Sequence, residues 1–65
     1  MPYYRLYSID PDGAIDSVEE FSARDDQEAV RISRGSPRLR PVELWCRSRI
    51  VERLGPQMPR RGGHA

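Results

Sequence analysis

The sequence predicts an α+β fold in β-β-α-β-β order: a four-stranded, mainly antiparallel sheet with one helix packed on one face. Three observations carry this expectation. A strand-like run, Tyr3 to Ile9, stops at the turn signal Asp10-Pro11-Asp12-Gly13. A capped helical segment opens at Asp25-Asp26-Gln27-Glu28 and is stopped by Gly35 and Pro37. Two short strand-like runs, 42–47 and 50–54, then follow almost without a break.

The first run, YYRLYSI, is rich in aromatic and branched residues. In the turn, Asp10 can accept a backbone hydrogen bond, Pro11 presets its backbone angle and Gly13 tolerates a positive φ. A tight hairpin is expected there. The second strand, about 14–22, is less regular: Ile15, Val18 and Phe21 recur every three residues, which strict alternation forbids. A bulge near Val18 is the expected solution.

In the helix, Asp25 is placed to cap free amides and Glu28 to bond back to it, while acidic residues in the first turn suit the helix dipole. Ala29, Val30, Ile32 and Ser33 supply its apolar face, and Gly35 is placed to end it in a left-handed conformation. So short a helix is stable only when packed on something. In the third strand Val42, Leu44 and Cys46 share one face, and Glu43, Trp45 and Arg47 the other. Ser48 turns the chain into the fourth. A strand order of 2-1-3-4 keeps all neighbours antiparallel and lets the helix cross over the first strand. Residues 1–54 form one domain in this reading, and 55–65 (GPQMPRRGGHA) a disordered tail of Pro, Gly and Arg.

These segments resemble a group of short, uncharacterised bacterial proteins. The resemblance rests on Tyr4-Arg5-Leu6-Tyr7, Asp12-Gly13-x-Ile15, Glu19-Glu20-Phe21, Asp25-Asp26-x-Glu28-Ala29 and Glu43-Leu44-Trp45. It covers residues 3 to about 54 and implies a ββαββ single-layer fold, with no activity to transfer.

Composition narrows the function classes. At 65 residues, with 37% apolar and 32% charged side chains, the chain has room for one small domain and no membrane span. All 11 basic residues are arginine, planar donors that pair bidentately with carboxylate or phosphate and lie flat on rings. Residues 1–30 hold two arginines against eight acidic residues, and 31–65 hold nine against two. In so small a domain the halves are expected to neutralise each other.

Catalytic and metal chemistry fail on inventory. Cys46 is the only cysteine, so no internal disulfide forms, which suits a reducing cytoplasm; it reads as a small buried hydrophobe. His64, the only histidine, lies in the tail. Asp10 and Asp12 lack the further ligands of a calcium loop. Glu19 and Glu20, adjacent on a strand, point to opposite faces and cannot act as a pair. No cofactor is implied and no secretory signal is seen. One enzyme reading is weighed: Pro2, exposed by removal of Met1, is similar to the proline base of the amino-terminal-proline tautomerases, with Arg5, Arg38 or Arg40 holding a carboxylate substrate. A hairpin where those enzymes place a long helix counts against it.

One helix covers one sheet face, that of Leu6, Val42, Leu44 and Cys46. Alternation puts Tyr3, Arg5, Tyr7 and Ile9 with Trp45 and Arg47 on the other, an aromatic and guanidinium-rich surface. The reading is therefore a non-enzymatic, cytoplasmic interaction protein whose partner-binding residues are Tyr3, Arg5, Tyr7, Trp45 and Arg47. A homodimer interface ranks first among the uses of this face, ahead of another protein partner. Rings that simply pack on their own neighbours rank next. A single-stranded nucleic-acid platform using Arg47, Arg49, Arg53 and Arg60-Arg61 ranks last, because Glu43 and Glu52 sit among those arginines.

Overall fold

The computed structural model describes residues 1–56. Strands β1 (Tyr3–Ile9) and β2 (Ile15–Ser22) are followed by helix α1 (Asp26–Arg34) and strands β3 (Val42–Cys46) and β4 (Arg49–Leu54). The four strands form one open antiparallel sheet in the order β2-β1-β3-β4, as the sequence predicts. Residues 57–65, with His64 and Arg60-Arg61, lie outside the described residues.

The β1–β2 turn is built by Asp10. Its Oδ1 accepts from the amides of Asp12 (3.0 Å) and Ala14 (2.9 Å), and its carbonyl accepts from Gly13 at 2.9 Å. Gly13 closes the turn at φ 87°, a backbone angle that side chains disfavour. The bulge falls at Asp16 rather than at Val18. Ser17 pairs with Ser8 and Ile15 with Ile9, so Asp16 is the extra residue, and Val18 stays in register opposite Tyr7. The turn sets the register from one end and the Tyr3–Ser22 pairing from the other, so the surplus residue is absorbed beside the turn.

The helix starts as its sequence suggests, with one change of partner. Asp25 Oδ1 accepts from the Glu28 amide at 2.9 Å, but Glu28 reaches back one residue further, to the Arg24 amide at 2.7 Å. At the other end Gly35 is right-handed (φ −75°, ψ −11°), not left-handed. The right-handed end keeps the Gly35 amide on the Arg31 carbonyl (3.2 Å) and the Ser36 amide on that of Ser33 (3.3 Å), and the Arg38 guanidinium adds donors to the carbonyls of Ser33 (3.1 Å) and Ser36 (2.9 Å). Arg38 Nε also donates to the Gly55 carbonyl at 2.8 Å, so the chain is still anchored just past β4, where the tail was expected to begin.

The core lies between helix and sheet. Tyr4, Leu6, Val42, Leu44, Cys46 and Leu54 from the strands meet Ala23, Ala29 and Ser33, with Phe21, Val30 and Val51 at the margin. Ile32, expected on the packed face of α1, is largely exposed. Tyr4 is the one large aromatic residue inside, stacked on Phe21 at 5.9 Å. Its hydroxyl, Asp26 and Arg49 join β1, α1 and β4, and Arg34 to Glu52 adds a second helix–β4 pair. The sequence-wide charge split is thus spanned by pairs between the halves, among them Arg40 with Asp16.

Candidate functional site

Helix α1 leaves one whole face of the sheet open. Tyr3, Arg5, Tyr7 and Ile9 stand on it from β1, beside Ile15, Val18 and Glu20 of β2 and Glu43 and Trp45 of β3. Three of these apolar side chains are markedly exposed: Tyr3 at 75%, Ile15 at 60% and Val18 at 50%. At the centre Tyr7 meets Trp45 edge to face, with ring centroids 6.4 Å apart, a favoured aromatic arrangement. Trp45 is directly opposite Arg5 in the β1–β3 register, which sets the two rings on a diagonal.

Every charge around this aromatic centre has a partner in the plane of the sheet. Arg5 Nε donates to Glu20 at 2.9 Å on the β2 side. On the β3 side, Glu43 accepts from the Trp45 indole at 3.1 Å and from Arg53 at 3.4 Å. The Tyr7 hydroxyl first and Glu20 second push the Arg5 pKa above its already high ordinary value, so this guanidinium stays charged. Arg47 differs. It occupies the two-residue β3–β4 turn at φ 58°, the only positive φ outside glycine among the described residues, and no carboxylate there pairs with it. Together with Tyr3, Arg5 and Glu20 it lines a shallow hollow of about 490 Å³ at this end of the face.

All five residues expected to form the interface therefore share one surface. Glu20, Glu43, Arg53, Ile15 and Val18 belong to it as well. Glu20 was readable from the β1–β2 register opposite Arg5; the bulge that turns Ile15 onto the face was not.

Other groupings come apart. Arg49 lies on the helix side, bonded to Asp26 at 2.8 Å, so it cannot join Arg47 and Arg53 in a phosphate-binding row. Pro2 and Arg40 are at opposite ends of β1: the Pro2 carbonyl accepts from Ala23, whereas Pro41, next to Arg40, accepts from Ile9. Arg38 is spent on three backbone carbonyls. Of the three arginines named for a proline-base clamp, Arg5 alone stays at the Pro2 end of β1, bonded to Glu20. A larger hollow of about 630 Å³ lies on the helix side, beneath the α1–β3 connection, lined by Leu6, Glu19, Leu39 and Val42 and edged by the Arg40–Asp16 pair.

Among the described residues no three or more His, Cys, Asp or Glu side chains come together as a metal site, and no helix is long and apolar enough to cross a membrane. Compared with protein-family models, with curated proteins and with solved structures, the chain matches none of them.

Proposed function

We propose that this chain is a non-enzymatic bacterial interaction protein that works through the open sheet face, and that the face associates with a second copy of itself in the cytoplasm. The observation that carries the reading is the half-buried aromatic pair Tyr7 and Trp45 with the exposed Tyr3, Ile15 and Val18 on the same face, framed by ion pairs that already neutralise Arg5 and Arg53. Apolar area wants cover, and the paired charges beside the rings can approach an identical face without like-charge repulsion. Tyr, Trp and Arg are also the residues on which interface energy concentrates. A nucleic-acid platform asks for unpaired guanidiniums along a backbone track. On this face two of three are held by carboxylates, and Arg49 is on the other side.

Sedimentation equilibrium or light scattering tests the reading. The wild-type chain is expected to reach twice its monomer mass at micromolar concentration. Trp45→Ala with Tyr7→Ala is expected to weaken association at least about tenfold, the usual cost of losing interface anchors. A dimer unchanged by that double substitution overturns the reading. A single-stranded DNA or RNA gel shift that is lost on raising salt, with a monomeric wild type, replaces it with the nucleic-acid module.

A further inference from the structure

The turns at the two ends of the sheet carry opposite charges that have no partner among the described residues. At one end Arg47 is held over the hollow beside Tyr3 and Arg5 by a backbone conformation that costs a non-glycine residue free energy. At the other end is the β1–β2 turn. There Asp10 Oδ1 accepts from the amides of Asp12 and Ala14, and the Asp12 side chain is exposed and, among the described residues, has no partner. Tyr7 lies between them. Tyr3, level with the Arg47 end, is four residues before it and Pro11, in the turn, is four after. At roughly 3.3 Å per residue, each end is about 13 Å from Tyr7.

A two-fold axis in the plane of contact has two simple directions. Along the strands, it would bring both Arg47 side chains to one end and both Asp12 side chains to the other. Across the strands, it exchanges the ends. We propose that two copies close their open faces about an axis running broadly across the strands beside Tyr7, so that Arg47 of each copy meets Asp12 of the other. The axis is tilted toward the diagonal, because the β1–β2 and β3–β4 turns are two strands, about 10 Å, apart across the sheet. The inference rests on the self-association reading above and specifies its orientation. The contact is isologous, forming the same pair twice, and like-charge repulsion disfavours the alternative direction. It also gives Arg47 the carboxylate that none of the described residues supplies.

Charge reversal tests the orientation. Dissociation constants are measured by sedimentation equilibrium for the wild type, Arg47→Glu, Asp12→Arg and the double exchange, with Arg47→Gln as a milder variant. Each single reversal is expected to weaken the dimer about tenfold or more, and the double exchange to return it to within about threefold of wild type. Arg47→Gln should fall between, and all differences should shrink at high salt. A wild-type dimer whose affinity moves less than about twofold in both single reversals overturns this orientation while leaving self-association intact. A wild type that stays monomeric overturns both.

Discussion

The Tyr4 hydroxyl donates a 2.8 Å hydrogen bond to Asp26 Oδ1, fastening β1 to the first turn of α1. The same carboxylate accepts from Arg49 of β4 at 2.8 and 3.3 Å, so a single side chain ties three elements together over the core. Removing the hydroxyl alone, in Tyr4→Phe, keeps the stack on Phe21 and leaves Asp26 its arginine. The expected loss is about 1 kcal/mol, against about 3–5 kcal/mol for Tyr4→Ala, which empties the largest buried site. Urea unfolding at fixed protein concentration measures both.

The same cluster sets the pH limits of stability. Arg49 first, and Tyr4 second, hold the Asp26 carboxyl below its ordinary value of 3.8; the Arg24 amide above all holds Glu28 below 4.5. A lowered carboxylate stabilises fully above its ordinary value and loses that contribution as pH falls through the lowered one. Stability should therefore decline in acid from below about pH 4.5, and Asp26→Asn should flatten that decline. On the alkaline side, burial and then the bond to Asp26 push Tyr4 from 10.0 up to about 12. Its contribution is complete below pH 10 and disappears as pH rises through about 12, a limb absent from Tyr4→Phe. Thermal melts across pH read out both limbs.

Two glycines should respond in opposite directions to alanine. Gly13 sits at φ 87° in the β1–β2 turn, and alanine there is expected to cost about 1 kcal/mol through backbone strain alone. Gly35 is right-handed, and an added methyl would meet the Arg31 and Ile32 carbonyls at an ordinary 3.6 Å. Gly35→Ala should therefore be neutral or stabilise by about 0.4–1 kcal/mol by restricting the unfolded chain. Chemical denaturation of the pair separates the two backbone states.

Arg47→Gly isolates strain from association. Glycine accepts φ 58° without penalty, so the isolated domain should gain up to about 1 kcal/mol while the dimer weakens. Unfolding at dilution and sedimentation at high concentration measure the two effects in one variant.

Trp45 reports on the interface directly. It is half-buried in the single chain, at the centre of the open face. Its fluorescence is expected to shift to the blue as concentration rises through the dissociation constant, and to lose that dependence in Tyr7→Ala. Emission that does not change with concentration, in a sample shown to dimerise, places the contact elsewhere.

The sequence by itself determined the element order, the hairpin at Asp10–Gly13, the start of α1 and the division of the β1 and β3 residues between two faces. Each follows from interactions within a few residues: turn chemistry, capping and the two-residue period of a strand. It did not determine what depends on contacts across the fold. The surplus residue falls at Asp16, where the turn and the β1 register meet. The end of α1 is right-handed, and Arg38, three residues past Gly35, folds back to the carbonyls of Ser33 and Ser36. Arg49 and Arg53, four residues apart in one strand, part to opposite faces because a bulge between Leu44 and Trp45 leaves Val51 unpaired and shifts the alternation. Tertiary structure alone decided which arginines are neutralised and which one, Arg47, is left to look outward, because charge pairing is a matter of distance through space and not of position along the chain.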